Sequence, residues 1–206
     1  MRANKKNELI IWLLNKACGI LPVFFWLFLI FGFEEPCMAL VTLGSALMHE
    51  AGHIGYIMLS RGLKPNIRGV LNGLKIKSYG NLSYAEEIKL SLAGPIMNIV
   101  LFVLFSLFSV LLGERMLITA MINLATALSN LLPIEGYDGY GALMAYIRGR
   151  ELGESIEHFL VCISSGLIFL LCIFSLYLID RVGGGYWIFA VFFISMIKCI
   201  RNTLRE

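Results

Sequence analysis

Charge is scarce in this chain. Of its 206 residues, 15% are Asp, Glu, Lys or Arg, while 58% are hydrophobic, and the mean hydropathy is +0.79. An ordinary soluble domain carries about 25% charged residues and about 45–50% apolar ones. The shortage excludes a freely soluble domain, and a net charge of +3 spread over short loops excludes a basic nucleic-acid-binding face. Also missing are a hydrophilic block long enough for a second domain, an internal repeat and a low-complexity tract. Residues 1–206 therefore read as a single membrane-embedded domain. The five cysteines (Cys18, Cys37, Cys162, Cys172, Cys199) are odd in number and form no CxxC pair. They indicate neither a disulfide framework nor a thiolate zinc site, and read as small hydrophobes within apolar segments. Histidine is rarer still, with three copies, and two of these stand four positions apart.

What is present in excess is apolar sequence in long runs. About 20 apolar residues cross a hydrocarbon core of about 30 Å. Runs of that order occupy Leu9 to Phe33, Cys37 to Ser60, Glu86 to Leu112, Met116 to Leu132, Ile156 to Ile179 and Tyr186 to Ile200. The pattern predicts an all-α polytopic membrane protein of about six transmembrane helices. The stretch from Arg61 to Tyr84 is too polar to span. Its Asn72-Gly73 pair, set between short runs containing apolar residues, predicts a type I′ turn and a small membrane-associated β-hairpin after the second span.

The basic residues choose an orientation. With six spans, one side collects Arg2, Lys5, Lys6, Arg61, Lys64, Arg68, Lys75, Lys77, Lys89, Arg148, Arg150, Lys198, Arg201 and Arg205, and the other holds Arg115 and Arg181. The positive-inside rule then places both termini and the hairpin in the cytoplasm of what reads as a bacterial cell membrane.

The second apolar run contains Met48-His49-Glu50-Ala51-Gly52-His53. On a helix, residues four apart share a face, so His49 and His53 project together with Glu50 beside them. Two imidazoles at that spacing can hold one Zn²⁺, and the neighbouring carboxylate can take a proton from water. Ionisable groups at membrane depth are costly and usually functional. A catalytic zinc site needs a third protein ligand. His158, beside Glu157 at the polar start of a span, reads as an interfacial anchor. Glu135 and Asp138 are the carboxylate candidates. They follow Pro133, which ends a helix, and lie among Gly136 and Gly139, which permit sharp turns.

Three motifs in order, His49-Glu50-Ala51-Gly52-His53, Ala93-Gly94-Pro95-Ile96-Met97-Asn98, and Asn130-Leu131-Leu132-Pro133 with Asp138-Gly139, resemble those of the site-2 proteases, which are intramembrane zinc metalloproteases. The resemblance covers roughly Thr42 to Leu143. The compact chain, without a PDZ or CBS segment, looks most like the sporulation sigma-factor-processing branch. The resemblance implies that His49, His53 and Asp138 ligate one Zn²⁺ per chain and that Glu50 is the catalytic base and acid. It also implies that Asn98 and Asn130 support substrate or transition state. The family often reads Pro-Leu-Asp-Gly-Gly where this chain has Gly136-Tyr137-Asp138-Gly139-Tyr140, so Glu135 stays as a weaker alternative ligand.

The implied activity is a zinc metalloendopeptidase that cleaves a single-span or membrane-tethered protein in or near its membrane segment and releases a cytoplasmic regulator such as a transcription or sigma factor. An inhibitory or recruiting membrane partner and self-association are compatible with it, and no nucleic acid is involved. The hairpin near Asn72 is expected to offer an edge strand to the unwound substrate. The alternative from another class is a divalent-metal transporter, whose paired broken helices in repeated halves are not visible here.

Overall fold

A computed structural model describes residues 32, 35–61, 66–70, 73–77, 82–150, 153–182 and 186–203. In chain order these form α1 (Pro36–Arg61), β1 (Asn66–Val70), β2 (Gly73–Lys77), α2 (Tyr84–Leu112), α3 (Glu114–Asn130), α4 (Asp138–Gly149), α5 (Glu154–Val182) and α6 (Tyr186–Thr203). Helices α1, α3 and α4 pack on α2, and α6 packs on α5.

The start of α2 is fixed by a capping box: the Ser83 hydroxyl accepts from the Glu86 N–H, and the Glu86 carboxylate accepts from the Ser83 N–H. Ten residues on, Gly94 and Pro95 interrupt the hydrogen-bond ladder from inside the helix. Pro95 has no N–H to give the carbonyl four residues back, and its ring pushes that carbonyl away. The break lies against α1 at the level of His49 and His53. Helix α2 then turns into α3 at Gly113, whose φ of +83° suits glycine. After α3 the chain runs through Leu131–Tyr137 and enters α4 at Asp138. The helical piece thus begins at the candidate ligand itself, so Gly139 lies inside the helix rather than in a turn.

The expectation of about six transmembrane helices with a membrane-associated hairpin is corrected on two counts. First, among the described residues two helices, α2 and α5, are long and apolar enough to cross a membrane. The others have physical reasons to fall short. Helix α1 is diluted by Ser45, His49, Glu50 and three glycines, and α3 has 17 residues and carries Asn123, Thr126 and Asn130. Helix α6 ends in Lys198, Arg201 and Asn202. The run from Leu9 to Phe33 lies outside the described residues apart from Gly32. Second, the described architecture is helical. The two five-residue strands pair antiparallel only with each other, and Gly73 stands opposite Val70. Gly73 is thus a strand residue rather than a turn centre, and Asn72 lies outside the described residues. Among the described residues the site is built from helices alone, and the two strands are not part of it.

Candidate active site

Helix α1 brings two of the three histidines of the chain to one face, both over nine-tenths buried. Their rings meet edge to face, with centroids 4.9 Å apart. The Nε2 atoms of His49 and His53 are 3.3 Å apart, and Asp138 Oδ2 lies 2.9 Å from the first and 3.2 Å from the second. Ligands about 2.05 Å from a tetrahedral zinc stand about 3.3 Å from one another. The triangle has that size.

The other nitrogen of each ring identifies these three atoms as lone-pair donors. His53 Nδ1–H donates to the Leu90 carbonyl at 2.8 Å, and a carbonyl can only accept. His49 Nδ1 meets Asn98 Oδ1 at 2.8 Å. With both Nδ1 atoms donating, both Nε2 atoms face the Asp138 carboxylate as acceptors. Three acceptors at this spacing repel unless a cation lies among them. Orienting partners of this kind are the usual companions of metal-ligating histidines.

Gly94 clears the space. A Cβ at this position would sit against His53 Nε2 and within 2.7 Å of His49 Nε2, in the region where the three ligand atoms converge. Two further glycines let the elements close in. At Gly52 a Cβ would come 2.6 Å from the Ala93 carbonyl oxygen, and at Gly139 it would collide with the Leu131 carbonyl. So α1 touches α2 at the break, and the first turn of α4 rests on the end of α3. The donor set and this cradle fit a divalent cation. Among the described residues, His49, His53 and Asp138 are the group that could hold one.

Glu50 is half-buried on α1 next to His49. Glu135 is directed elsewhere: its backbone N–H donates to Ser164 Oγ on α5 at 2.8 Å, and its side chain lines a cleft of about 470 Å³ with Glu87, Leu90, Ser91, Tyr140 and Arg148. His158 is exposed on α5. Asn98 is fully buried, against His49. Asn130 donates back to the Thr126 carbonyl at 2.9 Å.

With this geometry in view, the likeness to a solved structure can be stated. A site-2 protease from Methanocaldococcus jannaschii superposes with a TM-score of 0.61, over 90% of this chain and 87% of that one, at 18% identity. The fold is a site-2 protease fold. No protein-family model matches the chain, and no curated protein matches it. The site-2 protease fold thus holds its candidate metal group where α1, the α2 break and the start of α4 meet.

Ser45, Asn123 and the Leu90 carbonyl escaped sequence reasoning. Asn123 and Ser45 had a signal, since polar side chains in an apolar helix usually find a partner on another helix. The Leu90 carbonyl had none, because every residue has one.

Proposed function

We propose that this chain is an intramembrane zinc metalloendopeptidase acting on membrane-tethered proteins. The observation that carries the reading is the convergence of His49 Nε2, His53 Nε2 and Asp138 Oδ2, at tetrahedral spacing, in a site-2 protease fold. Those three side chains would hold the cation, one per chain, and leave one side of it for water and substrate. Held there, a Zn²⁺ ion would supply Lewis acidity for the scissile carbonyl and for water near neutral pH. Glu50, the residue next to His49 on α1, takes the proton from water and returns it to the leaving amine. Asn130, one turn beyond Thr126 and close in sequence to the ligand turn, supports the substrate backbone. The two histidines are nearly sealed from solvent, which strengthens charge–dipole interactions around them, while Asp138 is only partly buried.

Access comes from the cleft between the first turns of α2 and the length of α4. It shares Leu90 with the hydrogen bond that holds His53, and Glu135 lies three positions before Asp138. A substrate helix has its carbonyls bonded internally and must unwind before attack. The cleft, which offers Glu87, Ser91, Tyr140 and Arg148 beside Leu90 and Met144, has both polar and apolar surface for an extended segment. By the distribution of basic residues, this end of the molecule faces the cytoplasm, together with both termini. The product would then be a cytoplasmic regulator such as a transcription or sigma factor, as in the sporulation branch that the motifs resemble. A divalent-metal transporter, the other reading of the sequence, is disfavoured by the fold.

Co-expression with candidate membrane-tethered transcription factors tests the proposal. Wild type is expected to release a soluble fragment. Glu50→Gln should release none, a loss of at least about a thousandfold, while its metal content per chain stays that of wild type. Continued release by Glu50→Gln sinks the assignment of Glu50, and metal flux into proteoliposomes without proteolysis would replace the protease with a transporter.

A further inference from the structure

Behind the metal ligands lies a closed chain of buried polar groups that links α1, α2 and α3. Asn98 Nδ2 lies 3.2 Å from the Ser45 carbonyl oxygen, 2.8 Å from Ser45 Oγ and 3.1 Å from Asn123 Oδ1. Asn123 Nδ2 donates to the Thr119 carbonyl at 2.9 Å. Ser45 Oγ reaches Asn123 Oδ1 at 3.1 Å and Thr126 Oγ1 at 3.0 Å, and Thr126 donates its own proton to the Ile122 carbonyl at 2.8 Å. Asn98, Asn123 and Ser45 are each at most 3% exposed.

The direction of this chain follows from atoms with no choice. The orientation of an amide is decided by its partners, and here two backbone carbonyls, which only accept, decide it. The Thr119 carbonyl requires the NH₂ of Asn123, so Asn123 Oδ1 turns inward. The Ser45 carbonyl and Asn123 Oδ1 then require the NH₂ of Asn98, so Asn98 Oδ1 faces His49. An oxygen there requires a proton on His49 Nδ1 and leaves the Nε2 lone pair for the cation. Were the Asn98 amide reversed, its NH₂ would face Nδ1, the proton would move to Nε2, and that nitrogen could no longer ligate. His53 obtains the same tautomer directly from the Leu90 carbonyl. Both N–H bonds of Asn98 are engaged by Ser45 and Asn123, so its amide donates inward and not to substrate.

We infer that Asn123 and Ser45 are positioning residues of the metal centre: they lock the Asn98 amide and thereby set which nitrogen of His49 meets the cation. The inference rests on the metal-site reading above and adds residues of α1 and α3 that touch neither cation nor substrate. Its measure is the affinity of the full-length, detergent-solubilised chain for Co²⁺ alone, read from the visible absorption of the bound ion. Asn123→Ala is expected to weaken Co²⁺ binding about tenfold, the lower end for orienting groups around a metal. Asn98→Ala should weaken it at least as much. The double variant should match Asn98→Ala to within about twofold, because Asn123 acts through Asn98. A merely structural role would instead make the two losses multiply. Wild-type affinity in Asn123→Ala, or multiplying losses, overturns the inference. If Asn123→Ala fails to fold, Ser45→Ala removes one hydroxyl and leaves the backbone carbonyl. It is expected to weaken binding about threefold, and wild-type affinity there overturns the inference equally. A wild-type chain that binds no Co²⁺ refutes the metal reading itself, a result distinct from either.

Discussion

At the scale of single residues, the site depends on one missing side chain as much as on three present ones. Gly94 faces both Nε2 atoms closely enough that a methyl group would occupy the ground between them. Gly94→Ala is therefore expected to abolish metal binding, a fall of more than about a hundredfold in Co²⁺ affinity, since a cation and a methyl cannot share that space. Gly44, on the same helix as the histidines, supplies the control. A Cβ there meets nothing within 4 Å, so Gly44→Ala should leave affinity unchanged and, through helix propensity, stabilise the fold by up to about 1 kcal/mol. Comparable Co²⁺ affinity in the two variants would show that the space beside Gly94 is not where a cation binds. The pairing also explains why Gly94 precedes Pro95. The glycine permits close approach, and the proline opens the ladder, so α2 presents backbone instead of a smooth side-chain ridge.

At the scale of elements, the turn from Leu131 to Tyr137 decides where Asp138 sits. Ile134 is fully buried with Ile168 and Cys172 of α5 and Cys199 of α6, and the Glu135 N–H is held by Ser164. Gly136, at φ +97°, turns the chain back toward the histidines. The two C-terminal helices thus brace the third ligand although they supply no ligand themselves. Ile134→Ala is expected to cost about 3 kcal/mol, a fall in Tm of about 10 °C for a chain of this size, and to weaken Co²⁺ binding as the turn loosens. Unchanged affinity at a lowered Tm would show that the turn holds Asp138 without this brace. Little of the bracing was legible in the sequence, because burial of one isoleucine depends on distant segments. The histidine pair and the Gly-Pro break were legible because their spacing is local and the helix period does the rest. Membrane spans were overcounted for a related reason. Apolar runs were read as spans without discounting the polar residues inside them, and α1 carries Ser45, His49 and Glu50 while α3 carries Asn123, Thr126 and Asn130. Gly73 was read as a turn residue because Asn-Gly favours a turn locally, whereas strand pairing set it against Val70.

At the scale of the whole molecule, the apolar surface points outward. In the most apolar 18-residue windows of α2 and α5, only 11% and 28% of residues are buried inside the protein, and Leu107, Val110 and Leu111 stand well exposed toward the end of α2. A water-soluble protein rarely leaves a continuous apolar face of that extent bare. A lipid bilayer covers it at no cost. The polar groups are instead gathered inward around His49, and among the described residues no buried side-chain polar atom lacks a partner, as a membrane interior demands. This arrangement makes orientation a single variable. If the basic ends face the cytoplasm, the turn at Gly113–Arg115 lies outside and the end of α4 lies inside. Single cysteines placed at Arg115 and at Arg150, in a chain whose own five cysteines are replaced by serine or alanine, report the two sides. A membrane-impermeant maleimide added to intact cells is expected to label Arg115→Cys and to reach Arg150→Cys only after lysis. The reverse pattern would turn the molecule over, put the cleft on the outer face, and direct its product away from the cytoplasm. Labelling of both positions in intact cells would place them on one side and remove the span assigned between them.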